Sequence, residues 1–387
     1  MTNNIVANNT VNTQFDINTR ISICSSFRKN SLITLLSFIS KYGVDMPYLG
    51  RACIFLLGSL AEFPFSVYED FIYGSRIEAA RLTEDPVFVI GHWRSGTTHL
   101  HNILTQDPQW ATPRHLNVFY PKTFFTFERF RFILSNLLPE DRGYDRVKVK
   151  LDMPEEEEEA LLSYSHRSFY HAVIFPQMTD DFFRRYALFE NIGAEEFAAW
   201  QQDYLWFLKK INLSFRGRPL LLKNPVNTCR IAALTQLFPQ ARFIHIYRNP
   251  YEVFESNIKM IQIHTQNMRL QKLFDLKELH EGILRRYILM MQAYDRQKQS
   301  IPSNRLVEVS FEQVRDRPLE TLKQVYTQLN FSGWESAFPH FERYIEEQKN
   351  YQQNTYQYDQ ENLQIVRKAW SHWIDRWGYQ PPCINSN

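Results

Sequence analysis

Three cations and one run of carboxylates occupy places in the chain where a fold can use them. Arg94 lies in Gly91-His92-Trp93-Arg94-Ser95-Gly96-Thr97-Thr98, after the apolar run Val87-Phe88-Val89-Ile90 and before a helical pattern of Leu100, Ile103 and Leu104. Lys223 ends the apolar run Leu220-Leu221-Leu222 and is followed by Asn224-Pro225. Arg248 follows Arg242-Phe243-Ile244-His245-Ile246-Tyr247 and precedes Asn249-Pro250 and another helical pattern. Strand, cation, helix recurs three times. The carboxyl ends of strands in an open α/β sheet are where such folds keep ligands. If the strands are parallel, the three cations converge on one polyanion. The first turn is itself an anion site, because the first backbone N–H groups of a helix lack internal partners and the dipole is positive there. Ser95, Thr97 and Thr98 add hydroxyl donors, and Gly96 lets the backbone approach a ligand. A P-loop NTPase requires GxxxxGK[ST]. Here the cation precedes the Gly-Thr pair, as RSGTT, so the loop grips a phosphate-like group without the Walker lysine.

The carboxylates are residues 155–159, five glutamates between Pro154 and Ala160-Leu161-Leu162. Such a run is ordinarily a solvated face or an acidic helix start that complements the dipole. With Ala160, Leu161 and Leu162 facing inward, positions three and four earlier fall on the same side. Glu156, Glu157 and Glu158 then point inward, and Glu155 and Glu159 outward. Inward carboxylates are costly unless paired or functional, which makes one of them a candidate general base. His166 and His171 are reserve candidates.

The elements that must position these groups belong to a 387-residue chain with 44% hydrophobic and 22% charged residues, ordinary for a globular protein. The net charge of +2 gives no reason to invoke nucleic acid. Cys24, Cys53, Cys229 and Cys383 form no CxxC pair. They read as free thiols of a reducing compartment, hence a cytoplasmic protein. Residues 1–20 are polar and read as a disordered tail without a signal peptide. Residues 21–85 read as a helical extension and 86–387 as one α/β domain with helical insertions. In 31–73, Lys41, Asp45, Arg51 and Glu62 interrupt two apolar runs short of a spanning length. The favoured reading is a helix pair packed on the core. The alternative is a hairpin docked on the inner face of a membrane, suited to a lipid-like acceptor. A loop over 108–121, a Phe-rich helix over 122–138, a mostly helical stretch over 164–215 and helices over 279–299, 318–330 and 337–348 follow. Leu306 to Val309 reads as a fourth strand, and a Trp-rich amphipathic tail closes the core.

These motifs resemble a family, the sulfotransferases that use 3′-phosphoadenosine-5′-phosphosulfate (PAPS), and in particular its bacterial branch. The resemblance runs from about 86 to 329. Residues 92–98 match the 5′-phosphosulfate loop. Arg248 and Ser256, eight residues apart, match the 3′-phosphate motif, with Lys223 between the two. It implies a P-loop-like three-layer fold around a central parallel sheet and sulfuryl transfer from PAPS, without a metal, to a hydroxyl of a small-molecule, lipid-like or carbohydrate acceptor. It implies roles for Arg94, the loop amides, Thr97 and Thr98 at the 5′-phosphate, and for Lys223 at the departing oxygen. It places Phe311 either near the adenine or simply in the core. Cytosolic relatives carry a catalytic His two residues after this lysine, where this chain has Pro225. The segment PEEEEEALL resembles PxEDExAL of the bacterial branch, which points to Glu156, or else Glu158, as base. Two alternatives remain from the residues: a nucleotide kinase or NTPase on the same fold, and a catalytically inactive scaffold that binds the 3′,5′-bisphosphate.

Overall fold

The computed structural model describes residues 32–136, 150–349, 356 and 358–383. The polar tail over 1–20 and Cys24 lie outside them. Strands β1 (Val87–Ile90), β2 (Leu221–Lys223), β3 (Arg242–Tyr247) and β4 (Leu306–Ser310) form one parallel sheet in the order β2-β1-β3-β4. Val87 pairs with both Leu221 and Arg242, and Phe243 pairs with Leu306. The strands are short, continuous apolar runs, as expected where both faces of a parallel sheet are covered. Phe88, Ile90, Leu222 and Phe243 enter a core with Trp200, Tyr287 and Trp370. Val87, Val89, Leu221, Ile244 and Ile246 enter a second core with Leu100, Phe311 and Leu322. The alternation produces three layers.

The described helices that matter for the site are α1 (Leu32–Tyr42), α2 (Leu49–Ala79), α3 (Thr97–Leu104), α4 (Glu157–Tyr164), α5 (Ala194–Ser214), α6 (Pro250–Met268), α7 (Leu276–Gln297) and α8 (Gln360–Trp377). From β1 the chain goes to one side for β2, then returns across β1 to β3. The loops leaving β1 and β3 therefore diverge around a crevice at the carboxyl edge, the usual ligand position of such sheets. The tail helix α8 lies on α7, where the Trp370 indole donates to the Leu284 carbonyl at 3.1 Å.

Two stretches differ from the sequence reading. Residues 124–135 are not one helix but three short turns, Phe124–Phe127, Glu128–Phe130 and Arg131–Ser135. Phenylalanine spacing alone cannot distinguish a continuous amphipathic helix from short turns that each anchor a ring. The apolar region over 31–73 does contain two helices, but α2 runs unbroken for 31 residues. By length and composition the Met46–Ala79 stretch could cross a membrane. Of α2 only Ala52, Phe55, Ser59, Glu69 and Ile77 are buried. The charges that seemed to interrupt it point inward. Arg51 donates to the carbonyls of Gln266 and Arg269 at 3.0 and 2.9 Å, and Glu62 accepts from Thr123 at 2.7 Å. Packing on the core thus holds for one narrow side of α2 only.

Candidate active site

The turn after β1 is fixed from several sides. Gly96 stands at the start of α3 with φ 98°, and a Cβ there would lie 2.4 Å from the Phe311 ring. Glycine is needed both for the left-handed backbone and for the close approach. Arg94 has φ 69°, an uncommon conformation for a residue with a side chain. The Gly91 N–H donates to Thr228 Oγ1 at 2.8 Å, and Asn257 Nδ2 donates to the Trp93 carbonyl at 3.1 Å. The exits of β2 and β3 therefore both hold the loop. Ser95 departs from its expected role as a hydroxyl donor to a ligand. Its N–H and Oγ both donate to the His92 carbonyl, at 3.1 and 2.7 Å, so it closes the turn instead.

The three cations surround this loop in two linked groups. Lys223, 1% exposed, donates to Thr98 Oγ1 at 3.3 Å and forms an ion pair with Glu156. Arg94 Nε donates to Ser256 Oγ at 2.7 Å. Arg248 reaches the Arg94 carbonyl at 3.4 Å, pairs with Glu252 at 2.9 Å, and stacks its guanidinium 4.3 Å from the Phe311 ring centre. Arg94 was expected at the 5′ side with Thr97 and Thr98, yet its side chain joins the Ser256–Arg248 group. Thr97 is buried in the first turn of α3. Phe311 is both a core residue and a wall of the loop, pressed between Gly96 and Arg248.

The glutamates separate by partner. Glu156 stands at the N-cap position of α4 without capping it through its side chain, which is 14% exposed. One of its oxygens faces Lys223, and the other accepts from the Tyr170 hydroxyl, which in turn accepts from Trp93 Nε1 at 3.1 Å. Burial, reinforced by the Glu156 charge, holds the Tyr170 hydroxyl protonated well above its ordinary range. Glu158 instead meets Arg230 at 2.5 and 3.1 Å, with Ser168 Oγ, the Phe169 N–H and Asn224 Nδ2 completing its hydrogen bonds. Both oxygens of this fully buried carboxylate are engaged by structural donors, which argues against it as the alternative base. Glu157 accepts from Tyr204 and Asn227, each at 2.7 Å, and burial pushes its carboxyl pKa up. Glu155 and Glu159, expected outside, are buried. Glu155 meets His115 Nε2 at 2.5 Å. The inside-outside rule failed because α4 is a core helix with no solvent face.

His171 is fully buried, its Nε2 donates to the Ser165 carbonyl at 2.8 Å, and burial lowers its pKa to about 3. It is a structural donor. His166, also depressed by burial, lies 3.4 Å from Thr34 Oγ1. The sequence reading missed Tyr170, Trp93 as a hydrogen-bond donor, Asn224 and Arg230. Only Trp93, inside the loop motif, carried a signal there.

A loop that presents a helix N-terminus at the carboxyl edge of a parallel sheet, with Lys223, Arg94 and Arg248 around it and the partly exposed Glu156 carboxylate beside Lys223, has the donor groups to hold an anionic ligand. The Sulfotransferase family model matches residues 86–336, well over half of the chain, so the chain belongs to that family and is a sulfotransferase enzyme. With this membership the kinase or NTPase alternative falls away. Among relatives, the omega-hydroxy-beta-dihydromenaquinone-9 sulfotransferase Stf3 of Mycobacterium bovis is 27% identical over 332 residues, 85% of this chain and 84% of the relative. The protein of that name from Mycobacterium tuberculosis matches equally. The sulfotransferase STF9 of Mycobacterium avium has the same fold at a TM-score of 0.70 and 16% identity, covering 98% of this chain and 99% of its own. STF1 of Mycobacterium tuberculosis gives 0.64 and 17%, covering 90% and 92%.

Proposed function

We propose that the enzyme takes its sulfuryl group from PAPS and delivers it to the hydroxyl of a lipid-like acceptor, with Glu156 as general base. The observation that carries this reading is the position of Lys223. Its ammonium touches both Thr98, at the helix N-terminus that would hold the 5′-phosphosulfate, and Glu156, the carboxylate that would receive the acceptor proton. The loop fits such a donor. Gly96 lets the Phe311 ring pack directly on the backbone that starts α3, and Arg248 and Ser256 stand at the matching end for a second phosphate on the ribose.

In-line transfer breaks the bond from sulfur to the bridging oxygen and forms one to the acceptor oxygen. As in phosphoryl transfer, the protein's task is to position and to neutralise charge. Lys223 neutralises the oxygen that departs, Thr98 and the first amides of α3 hold the retained phosphate, and the acceptor proton passes to Glu156. Tyr170 keeps the carboxylate turned toward Lys223. The lipid-like acceptor is supported by the menaquinone-derived acceptor for which the Stf3 relatives are named and by the apolar cluster around Tyr170, which includes Phe175, Phe183 and the flanking Trp93 and Phe169.

The test is incubation of the purified enzyme with sulfur-labelled PAPS and a panel containing a hydroxylated isoprenoid quinone, a polyisoprenoid alcohol, a sterol and a hexose. Label in the isoprenoid products is expected. Transfer to the hexose alone would overturn the acceptor class, and no transfer to any alcohol would overturn the donor and acceptor together.

A further inference from the structure

The helix α2 is amphipathic in the reverse sense. From Leu49 to Glu69 its charged residues, Arg51, Glu62 and Glu69, turn toward the protein and are satisfied there, Glu69 in a fully buried pair with Lys210 at 2.8 Å, while the exposed charges Asp70, Arg76 and Glu78 lie in its last third. Its outer side carries Ile54, Leu57, Leu60 and Phe63, all about half exposed or more, and Phe71 at 85% exposure. Between Leu49 and Tyr68 no charged residue is among the exposed ones. At 1.5 Å per residue this strip is about 30 Å long. Neighbouring turns extend it, since the Phe127 ring packs on Phe65 and Phe132 is 80% exposed.

We propose that this face docks on a lipid bilayer, with α2 lying in the plane of the interface. Protein interfaces surround an apolar centre with a polar rim and about one hydrogen bond per 100–200 Å². A long strip without charge, whose own charges are spent inward, complements hydrocarbon better than another protein surface. The helix cannot cross the bilayer as folded. The buried Glu69–Lys210 pair and the Arg51 bonds fix its inner side along its length. The inner residues of the same helix pair, Leu35, Phe38 and Phe55, share one apolar cluster with Tyr170, whose hydroxyl holds Glu156. The docked face and the acceptor side of the site are therefore joined by continuous apolar packing. Lipid docking does not depend on the acceptor's identity; its use in collecting acceptor rests on the lipid-acceptor reading.

The experiment is co-sedimentation of the full chain with phosphatidylcholine vesicles, with and without phosphatidylglycerol, for the wild type and for the triple variant Ile54→Ser, Leu57→Ser, Leu60→Ser. These side chains are exposed, and an unchanged thermal midpoint confirms that the fold survives. The wild type is expected to pellet with both vesicle types, and the variant to partition at least about tenfold less. The variant should also lose turnover on acceptor embedded in vesicles and keep it on a short-chain, water-soluble alcohol. A wild type that stays in the supernatant, equal pelleting of the variant, or a stable homodimer in solution that the triple variant dissociates would each overturn the proposal. Vesicle binding without any sulfuryl transfer would leave docking intact and reject the acceptor reading instead.

Discussion

Arg94 Nε donates to Ser256 Oγ at 2.7 Å across 162 positions of sequence. The loop after β1 and the first turns of α6 are thereby one structure, and under the proposed function the group that would read the ribose phosphate is built from both. Tyr356 also donates to Ser256 Oγ, at 2.9 Å. Ser256→Ala should weaken 3′,5′-ADP roughly tenfold and leave 5′-ADP nearly unchanged, since a hydrogen bond to a charged group contributes about 1.5 kcal/mol. Calorimetric titration with the two nucleotides reads the ratio. Equal weakening of both would deny Ser256 a part in recognising the 3′-phosphate.

Glu156→Gln keeps the shape at the start of α4 but cannot take a proton. Turnover should fall by roughly 10²–10⁴, the usual worth of a positioned base, while donor affinity changes little. Tyr170→Phe should fall less, because it only orients the carboxylate. Steady-state kinetics beside a donor-binding isotherm separates these effects, and an unimpaired Glu156→Gln enzyme would reject this residue as base.

Lys223→Met removes the charge that the proposed mechanism sets beside the departing oxygen and should cost roughly 10²–10³ in kcat, the scale of one lost electrostatic donor. Since Lys223 and Glu156 are ion-paired, the double variant with Glu156→Gln should fall short of the product of the two single losses. Strict multiplicativity in a full double-mutant cycle would mean that the two act independently.

The buried pair Glu158–Arg230, with neither side chain exposed, should govern folding rather than chemistry. Arg230→Met strands a carboxylate and should destabilise by about 3–5 kcal/mol. Denaturant unfolding measures this. Glu158→Gln, which retains most of the hydrogen bonds, should stay active in the fraction that folds; an active-site titration showing folded but dead enzyme would return Glu158 to the chemistry.

Acid should unfold the enzyme early. Burial lowers His92 and His245 to about 4 and His101 and His171 to about 3. Each has a folded pKa below its unfolded value of about 6.5, so the unfolded chain binds protons first. The stability these neutral imidazoles retain above pH 6.5 drains as pH falls toward 4, at up to about 1.4 kcal/mol per pH unit for each group. Glu157 and Glu255, raised by burial, act in the opposite direction, but burial lowers His99, His166 and His280 as well. A thermal midpoint that drops steeply between pH 6.5 and 5 is expected, and a flat profile there would contradict it.

Local sequence carried the sheet because its cause is local. A short apolar run followed by a cation and helical spacing can be little else than a strand whose exit faces a ligand crevice, and β1, β2 and β3 appear where that pattern places them, while β4 appears where the apolar run from Leu306 does. The loop over 91–98 and the positions of Lys223 and Arg248 were legible for the same reason, whereas Ser256 came only from the family resemblance. Which glutamate faces Lys223 was narrowed by sequence to two and decided only by packing. Positions 156 and 158 differ in what other segments bring to them, Tyr170 to one and Arg230 with Asn224 to the other. The fates of Ser95, whose hydroxyl turns back on its own loop, and of Arg94, which crosses to Ser256, were likewise invisible.

The sequence by itself determined the parallel sheet and the chemical character of its exit loops, because backbone propensity and hydrophobic period act within a few residues. Only the tertiary structure decided which carboxylate is accessible and which way the charges of α2 point, because both depend on partners more than 60 residues distant. Side-chain polarity fixes the cost of burying a group, but only the assembled fold supplies the partner that offsets it.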